Sequence, residues 1–121
     1  MIAGLPDVSA TRREANGPDL EKALQGVPDN APVVLLDHQP KNARHNATRK
    51  VDLQLPGHTH GGLIIGFDRL FAKPNAGFAS GLYQVDGMQL YVNNGTALWP
   101  GMAIRLGRPS ELTRITLKRA P

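Results

Sequence analysis

Apolar residues fall along this chain mostly in short runs or at period two, and only one stretch carries helical spacing. "VDLQLPGH" (51–58) sets Val51, Leu53 and Leu55 against Asp52 and Gln54, which predicts a half-buried strand halted by Pro56-Gly57. "APVVLLDH" (31–38) is a continuous apolar run with two adjacent valines, and it predicts a strand buried on both faces, as in parallel sheets. "GLYQVDGMQLYVNNG" (81–95) places two β-rich runs on either side of Asp86-Gly87, the sequence of a type I′ hairpin turn. "ELTRITLKR" (111–119) alternates and predicts a final strand. Helical spacing belongs to "GPDLEKALQGV" (17–27), with Pro18 early, acids in the first turn, Leu20 and Leu24 four apart, and Gly26 as the stop. The polar stretch 40–50 has room for another short helix, and 61–80 reads as a glycine loop, a helical turn and irregular chain.

Composition narrows this picture. At 121 residues, with no repeat and no linker, the chain reads as a single unit over 1–121 with a modest core. Its 13 glycines and 10 prolines suit strands joined by turns better than a helical bundle. No apolar run approaches the ~18 residues of a membrane span, and no signal segment opens the sequence, so the chain as given is expected to be soluble. Cysteine is absent, which excludes disulfides and thiolate metal sites and leaves the compartment unknown. Fourteen Lys+Arg against ten Asp+Glu give a net charge of +4, dispersed through "TRRE", "KNARHNATRK" and "LKRAP". With one tryptophan, two tyrosines and three phenylalanines, no basic-aromatic pattern of a nucleic-acid-binding motif is present.

The candidate chemistry lies in three of the four histidines. His38 ends one predicted strand, and His58 and His60 open the loop after the next. If those strands are parallel neighbours, all three imidazoles lie beyond their carboxyl ends, where open α/β sheets place ligands. Side chains at i and i+2 of an extended segment point the same way. His58 and His60 therefore have the spacing to reach one metal, or two metals close together, and neutral imidazole suits zinc, iron and manganese. Gly57, Gly61 and Gly62 permit close backbone approach and positive φ. His45 sits in a charged stretch and is expected to face water. Trp99, before Pro-Gly, is read as local packing, with a pocket wall as its other use. The carboxylates from Asp7 to Glu111 are scattered and form no acid–histidine motif, and Asp37 should face away from its neighbour His38.

"VVLLDHQP", "VDLQLPGHTHGG", "GLYQVDGMQLYVNNG" and "GRPSELTRITL", in that order, resemble the carboxyl-terminal half of calcineurin-like metallophosphoesterases, in particular a bacterial branch that is often membrane-associated. The likeness runs from about "IAGLPD" to the end. It implies an α/β (α+β) fold: part of a four-layer β-sandwich flanked by helices, β-rich in this half. It also implies hydrolysis of phosphate mono- or diesters at a dinuclear centre of manganese, iron or zinc, with a hydroxide between the metals attacking phosphorus. Carried over by motif, the metal ligands are His38, His58 and His60, with His38 and His58 on one metal and His60 on the other. No catalytic residue is identifiable in this half. The family's Asp-x-His, Gly-Asp-x-x-Asp and Gly-Asn-His-Asp/Glu motifs do not occur here. Leu63 stands where glutamine is common, Asp37 where serine is, and Asn94 where a basic residue is frequent.

This truncated portion is therefore expected to bind metal weakly or partially and to turn over little alone. It should expose apolar sheet surface, and so form a homo-oligomer or need the N-terminal half. The alternative is a non-catalytic metal- or partner-binding remnant that self-associates.

Overall fold

The computed structural model describes residues 1–9, 17–99, 101 and 103–118. The charged "TRRE" stretch, Pro100, Met102 and the last three residues lie outside it.

Five strands form one mixed sheet: β1 (Ile2–Gly4), β2 (Val34–Leu36), β3 (Leu53–Gln54), β4 (Gly81–Val85) and β5 (Met88–Val92). Their order is β1-β2-β3-β5-β4, parallel except for the antiparallel hairpin β4-β5. The few helices are short: α1 (Leu20–Ala23), α2 (Ala43–Ala47) and α3 (Asp68–Ala72). The fold is thus mixed α/β and β-rich, as the sequence implies. No described helix is long and apolar enough to cross a membrane.

Local chemistry sets the element ends. Asp19 caps α1 by accepting from the Lys22 amide at 3.0 Å, satisfying an amide the first turn leaves open. Gly26, at φ 77°, lies just beyond the helix. In the hairpin, Asp86 and Gly87 both take positive φ (45° and 91°), as a type I′ turn requires.

The core lies on one face of the sheet. Ala3 of β1, Leu35 of β2 and Leu90 of β5 share one register row, with Gln54 of β3 between the last two, and pack with Val33, Met88, Val92, Leu20, Ala43 and Phe78. Each such large side chain contributes about 1.5–3 kcal/mol on full burial. A polar cluster is also buried, with Gln54 in the same register row as Leu35 and Leu90. Asn46 donates to Asp37 at 3.2 Å and to Gln54 at 3.1 Å, and Gln54 donates to Asp37 at 3.3 Å. Burial pushes the Asp37 carboxyl up, with the bonds from Asn46 and the Gln39 amide opposing it.

Three expectations are corrected. Gln54 does not face water: it is 0% exposed, because β3 lies between β2 and β5 and its amide completes the Asp37 cluster. The run 31–38 is not buried on both faces. Val33 and Leu35 are, but Leu36, on the other side of the strand, is 47% exposed because only one face of the sheet carries a core. Residues 111–118 form no strand. Glu111 and Thr113 instead bond to Tyr91 and Asn93 through side chains, so the alternating pattern finds no backbone ladder.

Candidate metal centre

The parallel strands end together, and their extensions are hydrogen-bonded. The Gly57 amide donates to His38 O at 3.1 Å and the Asn93 amide donates to Pro56 O at 2.9 Å. His38 and His58 are thereby set side by side at the carboxyl edge, with ring centroids 5.3 Å apart and planes at 80°. The register places Asp7, which follows β1, at the same edge: its carboxylate lies 3.9 Å from His38 Nε2. Burial raises the Asp7 carboxyl. The Ser9 amide, the Gln39 side chain and the His38 charge outweigh that and hold it below its ordinary value. Burial lowers the His58 imidazole, and the His38 charge adds to the effect. Neither ring nitrogen of His58 has a hydrogen-bond partner among the described residues.

The loop that carries His58 and His60 is strained. His58, His60, Gly61, Gly62 and Leu63 all have positive φ, from 50° to 79°. Such φ values are uncommon for residues other than glycine and persist only where neighbours enforce them. Buried Thr59 is the exception in this run; it donates to Ala79 O at 2.5 Å. Ala79 is fixed in turn by its amide donating to the Tyr83 hydroxyl of β4 at 3.2 Å. Asn94, anchored by Ser80 Oγ at 2.7 Å, covers Gly61 so closely that a Cβ there would lie 2.3 Å from its Oδ1. A Cβ on Gly62 would lie 2.8 Å from the Asp68 Cα at the start of α3. These two glycines therefore let the loop fold against its neighbours. Gly57 needs no such freedom, since a Cβ there meets only ordinary contacts.

His60 takes a different direction from the other two. Its Nδ1 lies 3.2 Å from Ala97 O and 3.4 Å from Arg105 Nη2. That Arg105 nitrogen already donates to Asn94 O at 2.8 Å and Ala97 O at 2.7 Å, so the Ala97 carbonyl is the better partner for His60. A proton on Nδ1 satisfies that carbonyl and leaves the Nε2 lone pair for a ligand, the arrangement common to metal-bound histidine. Arg105 thus closes loop 94–97 over His60. Its role was not legible in the sequence, because its partners are backbone carbonyls, which leave no residue pattern.

Asp7 was legible only in part. It stands after β1 as His38 stands after β2, but "IAG" gives no strand signal, so the carboxylate reads as scattered. The structure brings Asp7 and His58 to His38, whereas His60 has the Ala97 carbonyl as its ring partner. His45 is exposed, as expected. Among the described residues, no group of three or more His, Asp and Glu is gathered at metal-holding distances. The donor set, two imidazoles and one carboxylate, has the chemistry for zinc, manganese or iron. It fits such an ion incompletely, because structural and catalytic sites usually take three or four converging protein ligands.

The chain is similar to several known proteins. An uncharacterized metallophosphoesterase of Helicobacter pylori is 37% identical over 118 residues, covering 96% of this chain and 31% of its own length. A bovine transmembrane protein with metallophosphoesterase domain is 40% identical over 125 residues, covering 99% of this chain and 28% of its own length. An uncharacterized metallophosphoesterase of Bacillus subtilis is 36% identical over 120 residues, covering 97% and 40%. No protein-family model matches the chain. No solved structure matches it significantly. The chain is related over nearly its whole length to the metallophosphoesterases, a hydrolase family that uses divalent metals. It matches a C-terminal fragment of a calcineurin-like domain, and spans well under half the length of these relatives.

Proposed function

We propose that this chain supplies the carboxyl-terminal histidine ligands, His38, His58 and His60, of a dinuclear metal centre that hydrolyses phosphate mono- or diesters. The observation that carries the reading is the meeting of His38, His58 and Asp7 at the ends of adjacent parallel strands. Two imidazoles and a carboxylate are the donors that a borderline divalent cation selects. When bound, such cations supply Lewis-acid stabilisation of the phosphoryl oxygens and an acidified water. The chain's own part is to hold His38 and His58 as neighbours, to keep His58 unprotonated through burial, and to fix the His60 tautomer through Ala97. Manganese, iron and zinc all suit these donors.

Because the donor set is incomplete, the remaining ligands come from another portion of the domain, on the same polypeptide or brought by a partner. The single unit 1–121 then acts as the C-terminal portion of a larger domain, in a parent that is membrane-associated as the bovine relative's name says of that protein.

A second reading has its own observation. Leu36 and Leu82 are 47% and 65% exposed on the sheet face opposite the core, which suits a non-catalytic remnant that pairs with a second copy.

Calorimetric titration of the chain with Mn²⁺ and Zn²⁺, beside a His58→Ala/His60→Ala variant, tests the first reading. Weak binding that vanishes in the variant is expected. Equal heats from both proteins would remove the histidines from any metal role and leave the second reading. Hydrolysis recovered on adding the amino-terminal portion in trans would separate an enzyme half from a remnant.

A further inference from the structure

Behind the histidine loop lies a cavity of about 170 Å³, and nothing in the reading above uses it. His58 and His60 line it together with Leu63, Phe71, Pro74 and Trp99. We propose that it receives a single aromatic ring, the organic group of an aryl phosphate ester whose phosphate stands at the imidazoles. This assignment of substrate class rests on the phosphoesterase reading.

Three observations support it. The first is size: an apolar cavity of roughly 150 Å³ is enough to take up benzene. The second is polarity. The lining joins two imidazoles, Thr59 and Asn75 to the hydrocarbon of Leu63, Phe71 and Pro74, a mostly apolar wall with a few polar groups, which suits a ligand with an anionic head and a flat apolar body. The third is that the walls are held in place. Leu63 is 1% exposed and locked at positive φ by the turn it completes. The Trp99 ring lies against Gly101, where a Cβ would fall 2.6 Å from its Cζ3, so position 101 must stay bare for the indole to keep this place. An indole and a phenyl ring give a planar guest the offset or edge contacts that aromatic pairs prefer. Local packing, expected for Trp99, is thus only part of its role.

Trp99 is the one tryptophan of the chain, so its emission reports on the cavity directly. The test titrates the metal-free chain with phenol, phenyl phosphate and methyl phosphate, exciting at the red edge of the indole band. Saturable changes with phenol and phenyl phosphate, and none with methyl phosphate, are expected. Phe71→Ala should weaken both responses at least fivefold while leaving the heat of Zn²⁺ binding unchanged. Saturation-transfer NMR on the phenol ring protons with the parent chain gives a second readout, independent of the indole and of the variant's folding. No response to either aromatic compound in both measurements would overturn the proposal, whatever the metal titration shows. A response to phenol in a chain that binds no metal would leave the ring site standing and remove the phosphoesterase reading instead.

Discussion

His38 and His58 meet edge to face, with ring centroids 5.3 Å apart, because β2 and β3 run parallel in a register that brings their carboxyl ends level. The relationship is a product of the sheet, since twenty residues separate the two histidines. The third strand in this row, β1, delivers Asp7 by the same rule. Three successive parallel strands therefore each present one donor at one edge, which is the economy of open α/β sheets: the scaffold aligns groups that loops alone would hold loosely.

Asp7 should therefore matter to metal binding although it belongs to no recognisable motif. It lies 3.9 Å from His38 Nε2, close enough to orient the ring and to offset a cation's charge. Asp7→Asn is expected to weaken Zn²⁺ or Mn²⁺ binding by about tenfold to a hundredfold, the range seen when a ligand's carboxylate partner is lost. Calorimetry on the variant beside the parent chain measures it. An unchanged affinity would leave Asp7 as a partner of Gln39 and Ser9 alone.

Gly62 should be the least replaceable residue of the loop. A Cβ there would lie 2.8 Å from the Asp68 Cα, backbone that cannot turn aside, and φ is 79°. Gly61 has a comparable φ of 66°, but its Cβ would meet only the end of the Asn94 side chain. The unfavourable φ costs each alanine variant roughly 1–3 kcal/mol, and the clash adds more at 62. Thermal melts should rank Gly62→Ala below Gly61→Ala, and Asn94→Ala should restore part of the loss only in the Gly61→Ala background. Equal melting points for the two single variants would mean that α3 shifts freely.

What the sequence made legible was what local chemistry decides. The Asp86-Gly87 turn needs two positive-φ residues and nothing else, so the hairpin appears as written. The histidine positions at strand ends were readable for the same reason, and a helix was readable within 17–27, although only Leu20–Ala23 of that stretch is helical. The failures are those of long-range context. Strand β1 is three residues, two of them alanine and glycine, and exists because β2 offers it a parallel edge. Gln54 looks like an outward residue until Asp37 and Asn46 supply buried partners. "ELTRITLKR" has the pattern of a strand, but over 111–118 no backbone ladder is available to it. A pattern of alternation predicts a strand only where something stands ready to pair.

Glu111 carries the pH dependence of that last segment. Burial pushes its carboxyl up, but the Thr113 hydroxyl, the Tyr91 hydroxyl and the Asn94 amide bond to it and together hold it below the ordinary 4.5. A carboxyl lowered by folding adds stability above its unfolded pKa and loses it as pH falls through the folded value. The attachment of 111–118 to β5 should therefore be intact at neutral pH and should release below about pH 4.5. Backbone NMR shifts of Thr113 and Asn94 across pH 3–7 report it, and Glu111→Gln should flatten the transition. A transition that persists in the glutamine variant would place the titrating group elsewhere.

The exposed sheet face predicts the behaviour of the chain in solution. Leu36 on β2 and Leu82 on β4 lie opposite the core, with Ile2 of β1 76% exposed on the same face by register. Apolar side chains spread across one side of a sheet are the surface that a second layer covers, and their exposure drives association. The chain should sediment as a dimer or larger species at micromolar concentration, whereas Leu36→Lys/Leu82→Lys should shift it toward monomer. Both substitutions lie on the solvent side of their strands, so the core and the His38–His58 arrangement should survive them. Far-UV circular dichroism and Zn²⁺ heats unchanged from the parent chain would show that. A parent chain that already sediments as a single monomer would show that this face needs neither a second copy nor the rest of the domain to remain in water.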